Sequence, residues 1–235
     1  MKIQDATILV TGANRGLGLA FARAALERGA RKVHAGARTP ELVKLPGVTP
    51  VRLDVLDDES VAAAARLCGD VTVLINNAGI AGLAGLLGAD SVASMRQHLE
   101  TNFFGMLRVS QQFAPVLAAN GGGALLNVLS VASFINSPML GTYSISKTAA
   151  WGLTNALRNE LRPQGTQVLA LHVGFIDTDL THGLDVPKLP PEVVAARALD
   201  ALEAGASEVM ADEASQMVKA GLSAEAAPYL ALATD

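Results

Sequence analysis

Tyr143 is followed four residues later by Lys147 and preceded thirteen residues earlier by Ser130. On a helix, residues i and i+4 share a face, so the Lys147 ammonium can lie near the Tyr143 phenol. An ordinary phenol titrates at about pH 10. A neighbouring positive charge favours the phenolate and lowers that value, as a proton-transfer group working near neutrality requires. Two tyrosines and six lysines give this spacing by chance in roughly one sequence in twenty, so the pair alone decides nothing. Its meaning depends on what the rest of the chain places beside it.

The elements that must position it read as an alternation. Short β-like runs lie at 7–10, 32–35, 48–53, 71–75, 124–129 and 167–172, with a weaker one at 208–210. Helical patterns fall between them, at 16–28, 58–68, 91–117, 142–161 and 191–204. Strands alternating with helices imply right-handed crossovers and a doubly wound α/β fold. The expectation is a mostly parallel seven-stranded sheet with helices on both faces. A length of 235 residues suits one such domain, 1–235, and no repeat or linker divides it. The stretch 175–191, richest in turn residues from Thr181 to Pro191, reads as a substrate loop or lid, and 212–235 as an Ala-rich C-terminal segment with one helix.

Bulk composition removes several classes of function. Half the residues are hydrophobic, yet no uncharged apolar run reaches the ~20 residues of a membrane span. Residues 1–10 hold Asp5 and only a short apolar stretch, unlike a signal peptide. A net charge of −4 without a basic cluster argues against nucleic acid. Cys68 is the single cysteine, which rules out a disulfide framework and fits a reducing cytoplasm. His34, His98, His172 and His182 have no metal-ligand spacing and read as structural or solvent-facing; no metal is expected.

The first strand runs into Thr11-Gly12-Ala13-Asn14-Arg15-Gly16-Leu17-Gly18 and then a helix. Glycines at such a turn let backbone approach a ligand closely, and the helix N-terminus offers unpaired N–H groups to a pyrophosphate. A turn made only for tight packing would look similar. After the second strand, where a carboxylate would bind the 2′-hydroxyl of NAD, the chain has Arg38. Its guanidinium, with Arg15 as a second cation, suits a 2′-phosphate and favours NADP(H) over NAD(H). Asp54, after the third strand, is placed to accept from an adenine amine or to form a turn. In Asn76-Asn77-Ala78-Gly79, one amide is expected to tie strands together and the other to face a ribose.

These pieces stand in the order of a known family. TGANRGLG at 11–18, Asp54, NNAG at 76–79, Asn102, Ser130, YSISK at 143–147 and VGFIDT at 173–178 span most of the chain. With them the chain resembles the short-chain dehydrogenase/reductase family, in its short single-domain branch. The resemblance implies a Rossmann-type sheet and a nicotinamide coenzyme held by Gly12, Asn14, Arg15, Gly16, Leu17, Gly18, Arg38, Asp54, Val55, Asn77, Ala78, Gly79, Gly174, Ile176 and Thr178, together with Tyr143 and Lys147. It implies a catalytic set of Ser130, Tyr143, Lys147 and Asn102. Tyr143 would be the acid in reduction and the base in oxidation, and Ser130 would bond the carbonyl oxygen. Lys147 would hold the phenolate and the nicotinamide ribose. Asn102 would hold a water between Lys147 and solvent; without the resemblance it reads as a polar residue that kinks its helix. The spacing to Tyr143 selects Ser130 over Ser133, which lines the pocket or caps a turn, and Tyr229 has no lysine at +4.

The expected activity is an NADPH-dependent carbonyl reductase or alcohol dehydrogenase. Ile80, Val131, Phe134, Leu140, Phe175, Leu180 and Leu184 would wall a pocket for a hydrophobic ketone or aldehyde. The long helices at 91–117 and 142–161 would form a two-fold interface in a homodimer or homotetramer, and Trp151 would pack at a helix–helix contact. The alternative from another class is a non-catalytic dinucleotide-sensing or scaffold protein of the same fold. Two features depart from the family: Val173-Gly174 stands where Pro-Gly is usual, leaving the rigidity of that loop open. A second departure, Glu208-Val209-Met210-Ala211-Asp212, occupies the place of an Asp-Gly-Gly end.

Overall fold

A computed structural model describes residues 1–230; the last five residues of the C-terminal segment lie outside the described residues. Strand β1 (Thr7–Thr11) leads into helix α1 (Gly16–Glu27), and β2 (Lys32–Ala37) is followed directly by β3 (Thr49–Arg52). Then come α2 (Asp58–Leu67), β4 (Val73–Asn76), α3 (Ser91–Leu99), α4 (Gly105–Ala119) and β5 (Ala124–Val128). Helix α5 (Gly141–Glu160), β6 (Gln167–His172), α6 (Pro191–Glu203), β7 (Glu208–Met210) and α7 (Glu213–Gly221) complete the series. The strands form one sheet in the order β3-β2-β1-β4-β5-β6-β7, and every neighbouring pair is parallel.

The sequence dictates this layering through alternation along buried strands. Ile8 and Val10 of β1 join Leu126 of β5 and Leu169 of β6 on one face, where Phe21 of α1 and Leu199 of α6 cover them. Leu9, Leu74 and Leu125 point to the other face, under Val109 and Phe113 of α4 and Leu157 of α5. Both faces are therefore apolar, and the strands read as near-continuous hydrophobic runs. The chain reverses its winding between β1 and β4, which opens a crevice at the carboxyl ends of the strands.

One departure from the expected elements concerns the site. The helix predicted over 91–117 is interrupted by a π-turn at Glu100–Phe104, centred on the buried Asn102. The stretch 175–191 has little regular structure: a short 3₁₀ turn, Asp179–Thr181, and an isolated bridge between Ile176 and Leu189. Other boundaries agree with the expected ones to within a residue or two, as is normal for helix and strand ends.

Candidate active site

At the crevice, the backbone turns from β1 into α1 with Gly12 at φ 66° and Gly16 at φ 54°. A Cβ on Gly18 would stand 2.2 Å from the Gly12 carbonyl oxygen, so this helix can pack on its own turn only with glycine there. Arg15 precedes the helix without a side-chain cap, and the first turn carries no acid. The first N–H groups of α1 are therefore open to an anion.

A cleft of about 400 Å³ runs from this turn, past Arg38, Asp54 and Val55, to Asn77, Ala78, Gly79 and Thr178. Gly12, Asn14, Arg15, Gly16, Leu17 and Gly18 line it as well. Gly174, Ile176, Tyr143 and Lys147 do not border this part of the crevice. Ala37, Leu53, Leu56, Gln97 and Thr101 line it and were not expected; each stands outside any motif. Arg38 is exposed and has no salt bridge among the described residues. Glycine cradle and open helix end together fit the pyrophosphate of a dinucleotide, with the Arg38 guanidinium free at the cleft's edge.

Several assignments change in detail. Arg15 is bound to Asp179 across the cleft mouth, 3.1 Å apart, instead of standing free. Asp54 uses one carboxylate oxygen to accept from the Leu56 N–H, so it shapes its turn while lining the cleft. Both asparagines of the NNAG segment serve the scaffold. Asn76 donates to Ser110 and Asn127, and Asn77 donates to the Thr11 and Gly12 carbonyls. Asn127 in turn donates to Thr154 of α5, a buried polar chain beneath the site that no motif announced.

Beyond β5, Ser130 caps a 3₁₀ turn at Val131–Ser133, its hydroxyl accepting from the Ala132 N–H at 3.1 Å. Ser133 closes that turn from the other side by accepting from the Ser130 N–H, so the two serines cap it reciprocally. Tyr143 and Lys147 sit on one face of α5, with the Lys147 Nζ 5.9 Å from the phenol ring centre. Burial raises the Tyr143 phenol above its ordinary pKa, and a hydrogen bond with Ser130 pulls part of the way back. The lowering expected from Lys147 is absent. Its Nζ donates instead to the Val128 carbonyl at 2.9 Å, and burial brings the ammonium down to about 8.

Asn102 faces inward from the π-turn. Its carboxamide accepts from the Ile80 N–H and donates to the Ile80 carbonyl, each at 2.9 Å, and also donates to the Ser146 hydroxyl. The same buried amide thus sits in the π-turn and pins the residue after the NNAG turn; π-turns are frequent at functional sites. His98 lies edge-on to Tyr143, 6.1 Å between ring centres, and bonds Ser94 and Thr142.

Phe134, expected as a pocket wall, is buried and stacked on His172 at 4.3 Å. Trp151 is half-buried, edge-on to Phe134, and donates to Glu208 while Lys219 of α7 lies over its ring. Phe175, Leu180 and Leu184 are exposed near the crevice, and Ile80 and Leu180 line the cleft itself. Met139 was missed. Its carbonyl accepts from the Ala84 N–H, tying the 80–90 loop to the start of α5.

A sequence profile described as short chain dehydrogenase matches residues 6–187. The chain belongs to the short-chain dehydrogenase family. It is 40% identical to the short-chain dehydrogenase ptmH of Penicillium ochrochloron over 73% of this chain and 66% of that protein. The short chain dehydrogenase tazN of Aspergillus terreus is 34% identical over 81% of this chain and 45% of its own length. The chain thus spans about half to two thirds of these curated relatives. A short chain dehydrogenase from Burkholderia cenocepacia, solved in complex with NADP, superposes with a TM-score of 0.92 at 40% identity. That match covers 96% of this chain and 95% of the other. Among the described residues, no helix of this short-chain dehydrogenase is long and apolar enough to cross a membrane.

Proposed function

We propose that this chain is an NADPH-dependent carbonyl reductase or alcohol dehydrogenase acting on a hydrophobic ketone or aldehyde. The observation that carries the reading is the placement of Tyr143 and Lys147 on one face of α5, Nζ 5.9 Å from the ring centre, at the end of β5 where Ser130 stands. When bound, the dinucleotide supplies the hydride that adds to the carbonyl carbon. Gly12, Asn14, Gly16, Leu17 and Gly18 cradle its pyrophosphate, Arg38 takes the 2′-phosphate, and Asp54 and Val55 flank the adenine. Ala78 and Gly79 face the ribose beside Asn77, which lines the cleft while its amide NH₂ holds the Thr11 and Gly12 carbonyls, and Gly174, Ile176 and Thr178 back the nicotinamide half.

Ser130 donates to the substrate oxygen and orients it. Tyr143 gives that oxygen its phenolic proton as charge develops there, and takes the proton back in the oxidative direction. Lys147, held beside the phenol by Val128, stabilises the phenolate left behind. Asn102 is a positioning member of this set. It fixes Ile80 and Ser146, the residue before Lys147, where proton exchange with solvent would pass.

The apolar side chains Ile80, Leu140, Phe175, Leu180 and Leu184 favour an uncharged substrate. The single domain 1–235 would work as a cytoplasmic homodimer or homotetramer. The test follows NADPH absorbance with a panel of hydrophobic and sugar-like carbonyls, beside Tyr143→Phe. Loss of roughly 10²–10⁴-fold in the variant is expected. Activity unchanged in the variant refutes the role of Tyr143. Turnover of sugars alone refutes the hydrophobic substrate, and binding without turnover favours a dinucleotide sensor.

A further inference from the structure

Strand β6 ends at His172, whose carbonyl accepts from the Ala211 N–H at 2.8 Å as β7 runs out alongside it. One step further the two backbones part, yet the ladder gains another rung. The Gly174 N–H donates to Oδ2 of Asp212 at 2.6 Å. The other oxygen, Oδ1, accepts from the Ser215 N–H at 2.7 Å and so caps α7. The Ser215 hydroxyl, from a fully buried residue, also donates to Oδ2 at 3.1 Å. One carboxylate therefore fastens the start of the 174–178 loop to the N-terminus of a helix some forty residues on.

We infer that Asp212 is a positioning residue for the nicotinamide half of the coenzyme. The inference rests on the proposal that Gly174 backs that half. Val173 lacks the fixed φ of the proline usual at its position, and at Gly174, ahead of the backbone bonds that Phe175 and Asp177 make with Leu189, the carboxylate supplies a constraint from outside. A Cβ on Gly174 would sit 3.5 Å from this carboxylate, an ordinary contact distance, so Asp212 lies close behind the loop.

Asp212→Asn keeps shape but places an amide NH₂ against one of two backbone donors. The test compares the full chain and this variant by fluorescence titration with NADPH and by calorimetry with 2′-phospho-ADP-ribose, the same ligand without nicotinamide. Roughly tenfold weaker NADPH binding is expected, from loss of a hydrogen bond to a charged group. Binding of the fragment should stay within about twofold. Ser215→Ala, which leaves the Gly174 bond in place, should bind both ligands like wild type while losing some thermal stability. Equal weakening of both ligands in Asp212→Asn, or of neither, overturns the inference while leaving the coenzyme reading intact. A wild-type chain that binds neither ligand overturns that reading and the inference with it.

Discussion

Arg15 and Asp179 join the glycine turn to the loop after β6, Nη1 to Oδ2 at 3.1 Å, with side chains 68% and 72% exposed. An ion pair so exposed contributes little to stability, but it occupies the cation expected to meet a phosphate. Asp179→Ala should lower the KM for NADPH roughly two- to threefold and leave the melting temperature within about 1 °C. Steady-state kinetics beside a thermal melt check both halves; a raised KM would mean that the pair helps form the cleft.

Arg38 is the residue on which coenzyme choice should turn. Arg38→Ala is expected to raise the KM for NADPH roughly ten- to a hundredfold while NADH changes by less than about twofold. Equal losses with the two coenzymes would contradict a 2′-phosphate contact.

Lys147 has a thermodynamic signature apart from catalysis. Burial lowers its folded pKa from 10.5 to about 8. Between those values the unfolded chain holds the proton and the folded chain does not, so stability rises with pH across that window. Below it, both states are charged and the burial penalty is fully present. Chemical denaturation from pH 7 to 10.5 should show this rise in wild type and a flatter curve in Lys147→Met, which also loses activity.

His172 predicts the opposite flank. Burial drives its pKa from 6.5 to about 4, against the smaller upward pull of its bond to the Ser130 carbonyl. As pH falls through that range the unfolded chain takes up a proton that the folded chain refuses, and stability is lost, on the order of 3 kcal/mol by pH 4. His34 and His98, also lowered by burial, add in the same direction. His172→Asn keeps a donor for Ser130 and should visibly soften the acid transition in a pH-dependent melt. An unchanged transition would falsify the assignment.

A Cβ at Gly18 has no room. Gly18→Ala should therefore part α1 from its turn, destabilise the protein by roughly 1–3 kcal/mol and abolish dinucleotide binding, measurable by melt and titration.

Much of this architecture was legible because periodicity and local chemistry agreed. The β6 and β7 ranges were read without error, since apolar runs bounded by turn residues are a local signal. Ser130, Tyr143 and Lys147 were found together because helix and strand geometry converts their spacing into proximity. What escaped had no such signal. The π-turn is a one-residue insertion between two stretches that each read as ordinary helix. Lys147 turned towards Val128 because a carbonyl lay nearer than the phenol, a matter of packing distances. Phe134 looked like a pocket wall by position, but stacking on His172 draws it into the core. The Asp212 clamp joins residues from two ends of the fold, and neither has a motif that names the other.

The π-turn at 100–104 also governs which neighbours a single rod can serve. Before it, α3 packs on α5; after it, α4 packs on α2. One residue deleted there would restore regular α geometry and swing one half about 100° against the other. The helix would then present its apolar stripe to the wrong layer, and Asn102 would leave Ile80. That turn is accordingly a register joint, and it should tolerate changes of residue type far better than changes of length.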